Sequence, residues 1–254
     1  MKKQWFISDL HLAMERPATV ALFEHFVTAC PRSGDHLFIL GDLFDAWIGD
    51  DDDAEIATRV RNAIRTTVDR GVEVLIQRGN RDLLMGRRLM RECGARLLPD
   101  CHVTGVAGHP TLLMHGDLLC TDDVDYQKTR RRFRNPLFQW LVLRKSLEDR
   151  RQLVAGYRSR SREATALKPA DIMDVNADTV IRYLNKHGVH HMIHGHTHRP
   201  ARHRIQLADD IAATRLVLPE WHEDHAVAWV DDGETLTEVS IDPPVVAGEG
   251  NSWT

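Results

Sequence analysis

Five short apolar runs constrain this chain more than any other feature: WFIS (5 to 8), HLFIL (36 to 40), VEVLIQ (72 to 77), TLLM (111 to 114) and HHMI (190 to 193). Each has the length of a strand and reads as buried on both faces. The stretches 17–29 and 54–70 between the earlier runs carry helical patterns, and Gly71 suits the end of the second. This strand–helix rhythm predicts a layered α/β sheet. Further on, ATRLVLP, HAVAWVDD and LTEVSID predict antiparallel strands of a second sheet, and VVAGEGNSWT a loose tail.

The residues at the carboxyl end of each run are chemically consistent. WFIS leads into Asp9 and His11, HLFIL into Gly41-Asp42, VEVLIQ into Gly79-Asn80-Arg81-Asp82, TLLM into His115-Gly116-Asp117, and HHMI into His194-Gly195-His196-Thr197-His198. Open α/β sheets place their sites at the carboxyl ends of strands. A "GD" or a "DxH" alone is weak, but five such ends in order form a strong joint signal. Carboxylate, imidazole and amide oxygen suit Mn²⁺, Fe or Zn²⁺, and the absence of cysteine among them argues against a purely structural zinc site. Seven ligands exceed one ion's needs and suit two ions about 3.5–4 Å apart, a geometry that cleaves phosphoesters.

Composition narrows the setting. A chain of 254 residues can bury a full core, and its net charge of -4 argues against a nucleic-acid-binding protein. The four cysteines lack CxxC spacing and read as reduced thiols of a cytoplasmic protein. The opening MKKQWFISDLHL is too briefly apolar for a signal peptide, and no stretch approaches the roughly 18 apolar residues of a membrane span. Any membrane contact is therefore expected to be peripheral, from the cytoplasmic side.

Residues 125–170 break the rhythm. They are helix-favouring and join an apolar cluster (Phe133, Leu137, Phe138, Trp140, Leu141, Val142, Leu143) to a basic load (Arg130, Arg131, Arg132, Arg134, Arg144, Lys145). The predicted organisation is a core of 1–124 and 171–245, an inserted helical cap of 125–170, and a flexible tail of 246–254. The cap has two readings: an amphipathic surface that touches anionic membrane and takes up an acyl chain, or a helical hairpin packing its apolar side on the core. GDDDD (49 to 53) lacks the alternation of a calcium loop and is expected to be a solvated acidic loop near the metal mouth. HEDH (222 to 225) is expected to be surface.

The ordered set D-x-H, GD, GNRD, HG and GHxH resembles the calcineurin-like metallophosphoesterases. That resemblance implies a two-sheet sandwich flanked by helices. It implies one metal held by Asp9, His11, Asp42 and His198, and a second by Asp42, Asn80, His115 and His196, with Asp42 bridging. Many members have histidine after the motif asparagine, as an acid for an alkoxide leaving group. Here that position is Arg81, which is always protonated but forks onto phosphate oxygens. A phosphate leaving group needs no acid near neutral pH, so Arg81 points to a pyrophosphate linkage.

The stretches DAWIGDDD, LCTDDVDYQ and IMDVN are similar to one branch of that family, the UDP-2,3-diacylglucosamine pyrophosphatases of lipid A biosynthesis. The similarity implies two Mn²⁺, attack at the α-phosphorus to give UMP and 2,3-diacylglucosamine 1-phosphate, and a monomer at the cytoplasmic face of the inner membrane. It implies substrate contacts from Asn80, Arg81, Asp123, Ser161, Lys168 and His196. Thr165 stands where that branch has asparagine, which weakens that one contact. Asp42, Asn80, Arg81, His115 and His196 are the expected catalytic set. A soluble dinucleotide hydrolase of the same fold, and a non-catalytic scaffold, are the alternatives; the full ligand set opposes the second.

Overall fold

The computed structural model describes residues 2–166 and 174–243, with the side chains of 160–166 and 209 outside the description. Two sheets carry the fold. The first contains β1 (Gln4–Ile7), β2 (His36–Leu40), β3 (Glu73–Gln77) and the two-residue β4 (Arg96–Leu97), all parallel. β10 (Ala226–Asp231) and β11 (Leu236–Ile241) extend it antiparallel beyond β1, in the order β11-β10-β1-β2-β3-β4. The second sheet has the order β5-β6-β7-β9-β8, from β5 (His102–Val106), β6 (His109–Leu113), β7 (His191–His194), β8 (Ala201–Gln206) and β9 (Ala212–Val217). Its central strands β6, β7 and β9 run parallel.

Two-residue alternation sorts each strand between layers. Phe6, Phe38, Leu40 and Leu75 face inward and meet Leu113, Ile193 and Leu216 of the second sheet, with Phe6 stacked on Phe38 at 5.1 Å. Trp5, Ile7, Leu37, Ile39, Val74 and Ile76 face outward, under α1 (Pro17–Ala29), α2 (Glu55–Asp69) and α3 (Arg87–Cys93). On the far side, Leu112, Met114 and Met192 pack on Val180 and Leu184 of α7 (Ala177–His187). The result is helices, sheet, sheet, helix.

The C-terminal strands depart from expectation. Only β9 joins the second sheet, where it lies parallel to β7, while β10 and β11 complete the first. Residue alternation reports burial but not the direction of a neighbour, so β9 passes for an antiparallel strand in the sequence. β8 was not expected because ARHRIQ is an almost wholly exposed edge strand without an apolar run.

Residues 124–166 form three helices, α4 (Val124–Phe133), α5 (Pro136–Leu143) and α6 (Leu147–Ala166). Phe133, Phe138 and Val142 face inward with Leu153, Val154 and Tyr157, over Leu83 and Leu84 of the core. Leu137, Trp140, Leu141 and Leu143 point out to solvent. The segment thus packs one apolar side on the core, as the hairpin reading has it, and leaves these four apolar residues on its outer side. Two of its arginines are not solvated: Arg130 is buried against Asp117 at 2.6 Å, and Arg134 pairs with Asp100.

The acidic loop 49–53 is exposed at Asp51 and Asp53, yet each of its four aspartates has a partner in another element. Asp50 accepts backbone N–H bonds from Gly86, Arg88 and Leu89, capping α3. Asp51 takes both ends of the buried Arg150 guanidinium, which also donates to the Ile48 carbonyl at 2.7 Å. Asp52 and Asp53 pair with Arg151. The loop fastens α6 to the core. HEDH is exposed, as expected. No disulfide joins the four cysteines, and burial pushes the Cys93 and Cys120 thiols up to about 12. The tail 246–254 lies outside the described residues.

Candidate active site

The carboxyl ends of β1, β2, β3, β6 and β7 converge at one end of the sandwich, so all seven candidate ligands come together. The Gly195 N–H donates to the His115 carbonyl at 2.8 Å and ties the ends of β6 and β7, while the His196 N–H donates to Asp9 Oδ2 at 2.8 Å and links the two sheets. Two close approaches require glycine. A Cβ at Gly79 would lie 2.0 Å from Asp42 Oδ1, and one at Gly195 2.0 Å from Asp9 Oδ2. Asp9, His11, Asp42, His196 and His198 all adopt left-handed backbone, with φ between 49° and 70°. L residues with a Cβ rarely adopt that conformation.

Asp9, His11 and His198 each present a ligand atom within 4.8 Å of the others, as do Asp9, Asp42 and His115. Asp9 belongs to both groups, and Asp42, of the second, reaches toward the first, its Oδ2 4.0 Å from His11 Nδ1 and its Oδ1 3.7 Å from His115 Nε2. Asn80 Oδ1 is 3.1 Å from that same Nε2. The His115 Nδ1–H donates to the Leu40 carbonyl at 2.9 Å, which leaves Nε2 as the lone-pair nitrogen. The His196 ring packs edge-on to His115 at 4.9 Å and lies over Tyr126 at 5.8 Å, outside both groups.

Electrostatics describe a place made for cations. Burial raises the Asp42 carboxyl to about 6 against the pull of His115, with the charge of Asp9 adding to the rise. Burial also drives His11 down to about 4 and His196 to about 3, keeping both neutral and able to ligate. At His198, burial is outweighed by the Asp9 and Glu220 carboxylates, which push it up to about 10. Oδ1 of Asp9 and Nδ1 of His11 are buried with no hydrogen-bond partner, and a divalent cation would satisfy both. The oxygen and nitrogen donors fit such an ion.

His194, the first histidine of the HGHTH stretch, does not join them. Its Nδ1–H donates to the Gly195 carbonyl at 2.7 Å and its Nε2 accepts from Arg215 at 3.1 Å, so it is a satisfied core residue. Asp123 caps α4 by accepting the Tyr126 N–H at 3.0 Å and lines the cleft beside His196 and Arg81. The Arg81 guanidinium lines the same cleft and makes no hydrogen bond or ion pair with a described residue. Ser161 and Thr165 lie in the last turns of α6 with side chains outside the description, and Lys168 lies outside the described residues.

Glu220 is a neighbour of the site that the sequence alone did not single out. It comes after β9, whose parallel course delivers it to the same end, and its Oε2 is 2.8 Å from His198 Nδ1. The signal was present, since LVLPE is a sixth apolar run ending in a carboxylate.

The calcineurin-like phosphoesterase family model matches residues 2–200. The chain belongs to this family. Two curated relatives are named UDP-2,3-diacylglucosamine hydrolase. One, from Edwardsiella ictaluri, is 45% identical over 94% of this chain and 92% of its own length. The other, from Salmonella paratyphi B, is 48% identical over 89% of this chain and 93% of its own length. As a calcineurin-like phosphoesterase, the chain is a metal-dependent hydrolase, and the Asp/His groups above are candidate sites able to hold divalent cations.

Proposed function

We propose that the chain hydrolyses the pyrophosphate bond of UDP-2,3-diacylglucosamine, giving UMP and 2,3-diacylglucosamine 1-phosphate. One observation carries this reading: two clefts share the walls Asn80, Arg81 and Tyr126. The first is polar and faces the cation ligands. The second lies between the cap and the core, and its other walls are mainly apolar, among them Phe133, Phe138, Val142 and Leu153. A substrate with a diphosphate joined to acyl chains fits this pair of clefts, with the diphosphate at Arg81.

Asp9, His11, Asp42 and His198 would hold one ion, and Asp42, Asn80, His115 and His196 the other, as Mn²⁺. When bound, such ions lower the pKa of water and neutralise phosphoryl oxygens. The chain's own residues do the rest. Water adds to the α-phosphorus and the bridging P–O bond breaks on the opposite side. The departing lipid phosphate, with a second pKa near ~6, leaves as an anion and needs no acid. Arg81 binds the oxygens that gain charge, at a position where an acid would otherwise stand. Asp123, Ser161, Lys168 and His196 complete the substrate contacts, and Thr165 offers a hydroxyl where an amide is usual.

No helix among the described residues is long and apolar enough to cross a membrane. Leu137, Trp140, Leu141 and Leu143 are exposed beside Arg131, Arg132, Arg144 and Lys145, and Arg144 lies over the Trp140 ring at 4.6 Å. This face suits peripheral contact with an anionic inner-membrane surface, by a monomer reaching it from the cytoplasm.

The test is turnover of UDP-2,3-diacylglucosamine by chelator-stripped protein with Mn²⁺ restored, in ¹⁸O water. Label in UMP is expected. Label in the lipid phosphate would overturn attack at the α-phosphorus, and turnover confined to water-soluble dinucleotides would overturn the substrate.

A further inference from the structure

Glu220 stands behind a candidate ligand without belonging to either ligand group. Its Oε2 lies 2.8 Å from Nδ1 of His198. The other nitrogen of that ring, Nε2, faces the opposite way, 3.3 Å from Asp9 Oδ1 and 3.4 Å from His11 Nε2. A carboxylate oxygen only accepts, so a neutral His198 carries its proton on Nδ1 and keeps the Nε2 lone pair turned toward Asp9 and His11.

Glu220 is itself held in place. Arg16 approaches its Oε1 at 3.8 Å, and Arg16 also donates to the Trp221 carbonyl at 2.6 Å. The Trp221 N–H donates to the Asp9 carbonyl at 3.2 Å, and the Trp221 indole is fully buried. The segment after β9 is thus tied to the Asp9 loop on one side and to Arg16 on the other. His11 Nε2 and His222 Nε2 are each 3.9 Å from Glu220, too far for hydrogen bonds.

We propose that Glu220 is a positioning residue for His198: it fixes the ring's tautomer and orientation and adds negative charge behind one of the two cation positions. This rests on the reading that His198 holds a metal ion. A hydrogen-bonded carboxylate raises the basicity of a ligating imidazole, and its loss typically weakens metal affinity by about 10–100-fold. Because Glu220 touches only the Asp9, His11 and His198 group, the effect falls on one ion and spares the one near Asn80 and His115.

The experiment is titration of the full, chelator-stripped chain with Mn²⁺ by calorimetry, for wild type, Glu220→Gln, Glu220→Ala and His198→Ala. Two equivalents in wild type and loss of one in His198→Ala establish the underlying reading; their absence refutes that reading rather than this inference. With them in hand, Glu220→Ala is expected to weaken one equivalent by about 10–100-fold. Glu220→Gln, whose amide oxygen still accepts from Nδ1–H, is expected to weaken it less. Two results would overturn the proposal. In one, both equivalents bind Glu220→Ala as tightly as wild type while the metal-free variant melts lower, which makes the residue a structural brace for Arg16. In the other, one equivalent is abolished in both variants, which makes Glu220 a direct ligand.

Discussion

The backbone N–H of Arg81 donates to Oδ1 of Asp42 across 2.8 Å. The residue whose guanidinium is proposed to grip the diphosphate is therefore anchored at its own backbone on the carboxylate that stands between His11 and His115. Arg81→Ala leaves this main-chain bond intact while removing the side chain. It is expected to lower kcat about 10²–10³-fold on the pyrophosphate substrate, the loss typical of one preorganised charge-stabilising donor. Lysine, a point charge without the fork, should recover only part of that. Steady-state kinetics on the three proteins check both statements, and an unchanged kcat in Arg81→Ala would remove Arg81 from the mechanism.

Gly79 makes the same contact possible from the other side. A Cβ there would lie 2.0 Å from Asp42 Oδ1 and 2.4 Å from the Asp42 N. Because backbone as well as side chain is struck, Gly79→Ala must displace Asp42. Turnover should fall by at least ~10²-fold, since misplacement by about 1 Å costs that much. Manganese content after dialysis should fall with it, and full metal retention with full activity would contradict the placement.

The Asp51–Arg150 pair should hold the cap on the core. Arg150 is buried, and Asp51 receives both ends of its guanidinium. Asp51→Asn strands a buried charge, at a cost of about 1–3 kcal/mol because Asp51 itself is half exposed. Limited proteolysis should then cut within residues 134–150 faster than in wild type. Equal cutting rates would show that other contacts suffice.

Asp35 sets an acid limb of stability away from the ligands. It is buried, which opposes its charge, but the N–H groups of Lys3 and Arg32 and the Trp5 indole all donate to it and hold its carboxyl below the ordinary 3.8. A depressed folded value means the stabilisation is fully present above the unfolded value and is lost as pH falls through the folded one. Urea unfolding of metal-free protein should therefore show Asp35→Asn less stable than wild type at pH 6, with the gap narrowing below about pH 4. A gap independent of pH would contradict this sign.

The outward face of α5 carries the membrane proposal. Trp140→Gln with Leu141→Gln changes exposed residues only. Sedimentation with vesicles containing anionic lipid should lose most of the bound protein, with turnover of a short-chain substrate unaffected. Retained binding would move the contact elsewhere.

The parts of the fold and site legible in the sequence are those whose signal is local. The candidate ligands were legible because strand ends, glycines and donors recur together, so the convergence of Asp9, Asp42 and His115 could be anticipated without coordinates. Glu220 was not, since seeing it required knowing that β9 runs parallel to β7, a fact of pairing. Arg130 and Arg134 looked like solvated basic residues because the sequence does not show that Asp117 and Asp100 meet them. The aspartates at 50 to 53 looked like a mouth for the same reason: their partners in α3 and α6 are as many as 99 positions away.

The left-handed backbone of five candidate ligands has a consequence for substitution. Asp and His are among the residues that tolerate this conformation best. The same positions therefore impose two independent filters, one on the donor atom and one on the main chain. A replacement can offer a suitable donor and still fail: Glu for Asp9 keeps a carboxylate and Gln for His198 supplies an amide oxygen in place of nitrogen, but they must adopt φ of 55° and 53°. Asparagine meets the main-chain filter while weakening the donor, so it is the substitution that separates the two demands at this site.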